Sequence, residues 1–393
     1  MKPKSINATK MGSSNKKILL NMIRYSSGIT RREIAAHTGL NPSTVTNIIN
    51  SLKDLGLVYE KGKKKSEQPG RNSIMLEPRK ESAASFIVHV GVEKTKAGIG
   101  YLNNSFEILE EINTPENADL FFDGIVHIIQ SYEGQADPFG ISFSVPGTVD
   151  TDSNYIYSLP HVGWKNIDIN DEINKRIPDN PFSLLTANEA KLSLKSEKAL
   201  NEQLKDLKNG IYIYLSQGVG GAVLIRDIIY SGKDFIAGEI GHMSINKNGP
   251  ICRCGNRGCL ETYIGIDMII DQYEENETLK GQDTRAKFRE FLKKYKASEP
   301  LAVDICNEMK TYLLQGIKNL INILNPDFII IGGMGNEFPQ TLFDEINSKI
   351  KKNTLNPAGV GVRVLPSYVD IDHSTLHGCT LTAMDEFVNK IIK

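Results

Sequence analysis

Gly238-Glu239-Ile240-Gly241-His242-Met243 and, a short loop later, Cys252-Arg253-Cys254-Gly255-Asn256-Arg257-Gly258-Cys259-Leu260-Glu261 decide how this chain is read. Three of its five cysteines fall within these few positions, and His242 lies ten residues upstream of the first. Three thiolates and one imidazole complete a tetrahedral set for Zn2+, one ion per chain, with no position left for a catalytic water. Gly255 and Gly258 let the backbone turn Cys252, Cys254 and Cys259 toward one point. The reading is a closed, structural zinc site. Two points stay open on spacing alone: clustered cysteines also form disulfides or simply pack as small buried groups, and the fourth ligand need not be His242.

The surroundings favour metal. The N-terminal residues carry no apolar signal-peptide core, and no 18-residue apolar run marks a membrane span. A cytoplasmic chain is expected, in a reducing compartment where such clusters hold metal more often than disulfides. The net charge of −1 hides an asymmetry, because residues 1–80 hold 16 Lys and Arg against 5 Asp and Glu. A basic head on an acidic body points to a polyanion-binding module joined to something with a different partner.

The head reads as a winged helix-turn-helix over 1–80. Apolar residues at Ile18, Leu19, Met22 and Ile23 predict an amphipathic helix over 15–25. Thr30 and Glu33 form a capping box for a helix over 31–37 that stops at Gly39. Asn41-Pro42 starts the next helix, with a cap residue and a first-turn proline in their preferred order. That helix buries Val45, Ile48 and Ile49 and turns Ser43, Thr44, Thr46, Asn47 and Asn50 outward, the short polar face that reading a major groove requires. A hairpin over 59–76 follows, with Lys61, Lys63, Lys64, Lys65 and Arg71 around Pro69-Gly70, a basic wing for phosphate or minor groove. Arg31, Ser43, Thr44, Thr46, Asn47, Asn50, Lys63, Lys64 and Arg71 are the expected DNA contacts. Residues 79–82 read as the linker.

From 81 to 393 the texture is α/β. Strands are expected over 85–92, 96–102 and 107–113, a helix near 118–130, and a buried strand over 140–145 ending at Pro146-Gly147. A loop holding Trp164 comes next, then strands over 210–215 and 221–226, a long helix over 302–324 and a strand over 328–332. The repeated pattern predicts two lobes with a cleft between them.

Val145-Pro146-Gly147, Gly163-Trp164-Lys165-Asn166, Asn188-Glu189, Gly238 to His242 and Cys252 to Glu261 resemble the ROK family of repressors, open reading frames and sugar kinases. The resemblance runs from about residue 86 to the C-terminus and implies a two-lobed, actin-like fold. With the head attached, the layout is similar to the family's transcriptional-repressor branch. It implies sugar-binding positions at Asn188, Glu189, Glu239, His242 and Glu261, groups suited to pairing with a ring of hydroxyls. His242 would serve both zinc and sugar, and the zinc loop would aim Glu261. The effector is expected to be a small sugar, xylose first, with glucose and N-acetylglucosamine behind it. The expected DNA partner is a palindromic operator bound by a homodimer or higher homo-oligomer.

The family's kinases carry an Asp-Gly-Gly-Thr-type phosphate loop, where this chain reads His89-Val90-Gly91-Val92-Glu93-Lys94. The second loop reads Ser216-Gln217-Gly218-Val219-Gly220-Gly221-Ala222 and has lost its threonine. The position of the catalytic aspartate is Glu189, and Lys191 replaces an asparagine. These departures predict sugar binding without chemistry and no catalytic residues. The alternative is an ATP-dependent sugar kinase of the glucokinase or fructokinase type that retains a DNA-binding head.

Overall fold

The computed structural model describes residues 8–64, 73–132, 137–353 and 361–392. The head holds α1 (Ala8–Tyr25), β1 (Ile29–Thr30), α2 (Arg31–Thr38), α3 (Pro42–Asp54), β2 (Val58–Lys64) and β3 (Ser73–Pro78). The capping box forms: Glu33 N donates to Thr30 Oγ1 at 3.3 Å, and Thr30 N donates to Glu33 Oε2 at 2.8 Å. Gly39 ends α2 in the left-handed region at φ 68°. Asn41 precedes Pro42, but its side chain makes no capping bond, so the proline's fixed φ starts α3 unaided. The hairpin gains a third strand, in the order β1-β3-β2. Its tip, with Lys65, Pro69, Gly70 and Arg71, lies outside the described residues.

The first lobe is a five-stranded sheet, built from β4 (Ala84–His89), β5 (Lys94–Tyr101), β6 (Phe106–Asn113), β7 (Pro138–Val145) and β11 (Ser183–Asn188), in the order β11-β7-β4-β5-β6. Helices α4 (Ala118–Ser131) and α5 (Ile169–Arg176) cover it. Trp164 lies in a strand and not in the loop that the sequence predicts. β8 (Thr148–Asp150), β9 (Tyr155–Leu159) and β10 (Trp164–Asp168) form a small antiparallel sheet. Trp164 is buried there against Phe121 and Phe122, its indole N–H donating to Glu116 O at 2.8 Å.

The second lobe repeats the plan. β12 (Gly210–Leu215), β13 (Val219–Ile225), β14 (Ile228–Tyr230), β15 (Phe328–Gly333) and β16 (Arg363–Pro366) form a sheet in the order β14-β13-β12-β15-β16. Around it lie α7 (Glu261–Ile264), α8 (Ile266–Glu274), α9 (Thr284–Lys296), α10 (Pro300–Leu324) and α11 (Gln340–Asn353). Its core is the largest apolar cluster of the molecule.

Two helices join the parts. α6 (Glu189–Leu200) packs Ala190 and Leu194 onto the second sheet. α12 (Ile371–Ile391) crosses α6 where Gly378 lies against the backbone of Leu192, an approach too close for any Cβ. The far end of α12 meets the head. Leu19, Leu20 and Ile23 of α1 share one core with Ala383, Met384 and Val388. Beside them buried Arg24 pairs with Asp385 at 2.8 Å and donates to Leu102 O at 3.3 Å. Head and body are therefore packed together, and residues 79–82 contain the short 3-10 turn Lys80–Ser82.

Candidate functional site

The loop after β14 brings His242, at the end of a 3-10 turn, beside the cysteine loop, held there by bridges Ser244 to Cys259 and Ile251 to Arg257. Gly255 and Gly258 both take positive φ, 89° and 66°. His242 Nδ1 lies 3.5 Å from Cys252 Sγ, Cys254 Sγ lies 3.6 Å from Cys259 Sγ, and all four candidate atoms fall within 4.8 Å of one another. Tetrahedral zinc with bonds of about 2.3 Å to sulfur and 2.0–2.1 Å to nitrogen requires S···S near ~3.8 Å and N···S near ~3.5 Å. The pairs fit. A disulfide, at about 2.05 Å, does not. The donors form a set able to hold a metal such as zinc, and burial together with the neighbouring thiols pushes Cys259 up to about 12 without one.

Beside this cluster a cleft of about 940 Å³ opens between the lobes, lined by Asn188, Glu189, Glu239, His242 and Glu261 among others. Each is fixed differently. Asn188 caps α6, its Oδ1 accepting from Ala190 N at 2.9 Å and its Nδ2 donating to Gly147 O at 3.0 Å. Glu261 starts α7, and its Oε2 accepts from Val219 N at 3.0 Å. Glu239 Oε2 faces the free His242 Nε2 at 4.0 Å. Burial pushes Glu239 upward, with His242 and Lys191 opposing. Lys191 reaches from α6 to Phe235 O at 2.7 Å, pinning the loop before Glu239.

Burial also pushes half-buried Glu189 up to about 8, and the Tyr214 hydroxyl bonded to it offsets only part of this. Glu189 takes up a proton on folding, so its contribution to stability is full below the unfolded value near 4.5 and is lost as pH rises through about 8. In urea melts between pH 5 and 8.5, the wild type should lose at least ~1 kcal/mol more than Glu189→Gln. Parallel losses would place the carboxyl in a solvated setting.

In the head, Ser43, Thr46, Asn47 and Asn50 are exposed on α3 and Thr44 is half-buried. Thr46 Oγ1 bonds back to Pro42 O at 2.8 Å. Val45 and Ile49 are fully buried, and Ile48 only partly so. Two of the expected contacts are engaged internally: Arg31 pairs with Glu60 and Lys64 with Glu33, each at 2.8 Å. Lys63 is exposed. Arg71 lies outside the described residues.

Residues 86–385 match the ROK family model, over three-quarters of the chain. The chain belongs to the ROK family. Residues 13–71 match the MarR family, whose winged head precedes the ROK body here. The xylose repressor of Bacillus subtilis (strain 168) is 28% identical over 383 residues, 96% of each chain. The transcriptional dual regulator NagC of Escherichia coli K12 is 25% identical over 375 residues, 93% of this chain and 90% of its own. Among solved structures, a ROK family transcriptional regulator described as a homolog of the E. coli MLC protein superposes with a TM-score of 0.78 at 22% identity, over 97% of this chain and 99% of that one. A ROK glucokinase from Streptomyces griseus, in complex with glucose and AMPPNP, gives 0.65 at 20%, over 76% and 99%. The layout is that of a ROK-family transcriptional regulator, on a sugar-kinase-like fold.

The first loop of this ROK chain has a feature that motif reading missed. Glu93 Oε1 accepts from Thr284 N at 3.2 Å, Thr284 Oγ1 at 2.7 Å and Gln217 Nε2 at 3.3 Å. A carboxylate of the first lobe thus sits on the N-terminus of α9 in the second lobe, the kind of place that takes an anion. No local signal marks a contact between residues 191 positions apart. His89, in place of the acidic residue, lies against Ser144 Oγ at 3.3 Å, and burial followed by Lys96 holds it down to about 4.

Proposed function

We propose that this ROK protein is a sugar-responsive transcriptional repressor that performs no phosphoryl transfer. The supporting observation is the pairing within one cleft of a hydroxyl-binding set, Asn188, Glu189, Glu239, His242 and Glu261, with Glu93 lodged at the α9 N-terminus. An anionic side chain there repels phosphates brought near the first loop and occupies the backbone N–H of Thr284. Similarity over nine-tenths or more of the chain to proteins named xylose repressor and N-acetylglucosamine repressor supports the sugar-utilisation setting, with xylose the leading effector. Zinc, held by His242, Cys252, Cys254 and Cys259, would supply fixed geometry, setting the His242 ring and the approach to Glu261. The protein acts in the cytoplasm as a homodimer on a palindromic operator, α3 in the major groove and the wing on the backbone. Among the described residues no helix is long and apolar enough to cross a membrane.

A thermal-shift panel of xylose, glucose and N-acetylglucosamine should identify one sugar that raises the melting temperature and alters operator binding in a gel-shift titration. Glu239→Gln keeps the shape but removes the charge, and a lost charged hydrogen bond costs about 1.5–3 kcal/mol. Sugar affinity should fall roughly ten- to hundredfold by calorimetry. Sugar-dependent ATP turnover would favour the kinase reading. An unchanged affinity in Glu239→Gln would move the sugar elsewhere.

A further inference from the structure

We propose that α12 carries the state of the cleft to the DNA-binding head, with Asp372 at its first turn as the positioning residue that senses how the lobes stand. This rests on the sugar-responsive reading for its ligand, though not for its geometry. Asp372 is held from both sides. Lys96 of β5, in the first lobe, donates to Oδ1, and Arg285 of α9, in the second, donates to Oδ2 at 2.8 Å. Arg285 continues to Glu337 at 2.6 Å, which also takes Arg289 at 2.8 Å. Glu93 makes a second bridge across the same rim. A carboxylate shared between groups on two bodies cannot keep both partners when those bodies rotate.

The rest of α12 is suited to pass that change on. From Ser374 to Leu381 every side is buried, and Gly378 seats the helix directly on α6. A helix packed all round moves as a body because a dense interior has no room to absorb a bend. Thirteen residues after Asp372, about 20 Å along the axis, Asp385 takes Arg24 of the head and Lys195 of α6, both at 2.8 Å. One turn on, Lys17 of α1 reaches Asn389 Oδ1 at 3.2 Å. The two ends of one rigid element therefore hold the interlobe clasp and the head.

The test uses the full-length protein with xylose, or whichever panel sugar binds, and the variants Asp372→Asn and Arg285→Gln. Sugar affinity, and operator affinity without sugar, should each stay within about threefold of wild type. The ratio of operator affinities with and without saturating sugar should shrink at least tenfold, and the double variant should be no worse than either single one. A wild-type ratio in both folded variants overturns the proposal. Hydrogen exchange without sugar supplies an arm that is independent of the effector. Asp372→Asn should speed amide exchange in residues 17–25 and 383–391 at least tenfold while leaving α10 unchanged. Unaltered exchange at the head end also overturns it, whereas failure of every sugar to bind would sink the sugar reading and leave this arm to decide the clasp.

Discussion

Cys259→Ser protein should retain less than a tenth of the wild-type zinc and melt about 5–10 °C earlier. Cys259 is the most enclosed of the four donors, with no solvent exposure, and its neighbours Leu260 and Ile264 belong to the second-lobe core. Its sulfur also accepts the geometry of the loop as a whole, lying 3.6 Å from Cys254 Sγ and 3.4 Å from His242 O. Serine replaces a soft thiolate with a hydroxyl that stays protonated, leaving three donors for an ion that needs four. Metal binding at closed sites is folding energy, about 10–16 kcal/mol in isolated finger peptides. A lobe with its own large core loses only part of that, and ~3 kcal/mol corresponds to the stated shift for a domain of this size. Metal analysis and calorimetry on Cys259→Ser decide it, with Cys306→Ser as control: Cys306 is equally buried but lies in α10, outside the cluster, so that variant should keep its zinc. Wild-type protein purified without metal and melting unchanged would remove zinc from the account.

How far the sequence could be read depends on the range of each interaction. The Thr30–Glu33 box and Gly39 are decided within a few residues, and spacing alone carries them, whereas the cysteine loop is marked by spacing but needs its folded distances to set a metal site apart from a disulfide. Strands such as β7 and β12 announce themselves as short apolar runs buried on both faces. α12 gave no such sign. Its stretch Ser374-Thr375-Leu376-His377-Gly378-Cys379-Thr380-Leu381 is small and polar as well as apolar, and it is buried throughout. Burial on every side erases the 3.6-residue stripe by which a surface helix is recognised. Trp164 opens a strand of only five residues, preceded by a turn and running straight into α5, too short to show an alternating pattern in the sequence. The charges that matter most, Glu93, Asp372 and Arg24, sit in ordinary-looking sequence, with partners 78 to 361 positions away. Pattern reading has no access to them. The same limit applies to the proposed DNA face, where exposure of α3 was legible but the pairing of Arg31 and Lys64 with Glu60 and Glu33 was not.

Arg24→Ala should release the head from the body. Arg24 is 5% exposed and donates at 2.8 Å to Asn21 Oδ1, Asn104 Oδ1 and Asp385 Oδ1, and at 3.3 Å to Leu102 O. Truncation leaves the Leu102 carbonyl and the half-buried Asp385 carboxylate, which keeps Lys195, beside a cavity at the join of α1 and α12, and losing charged hydrogen bonds of this kind costs about 1.5–3 kcal/mol. The cores of the two lobes are untouched. The loss should therefore appear as a separate, earlier melting step for the head and as faster proteolysis around residues 79–83. Arg24→Lys should recover less than half of the loss, because a single ammonium cannot serve carbonyl, amide and carboxylate in a fork. The pH dependence gives an internal check. Burial raises Asp385, but Lys195 and then Arg24 outweigh it and hold the carboxyl below its ordinary value near 3.8. Its contribution is therefore present above that value and lost as pH falls through the lower folded one. Lys195 remains in Arg24→Ala, so acid should weaken docking in both proteins, from a lower starting point in the variant. A single cooperative transition at the wild-type temperature would show that the apolar contacts of Leu19, Leu20 and Ile23 hold the head without the ion pair.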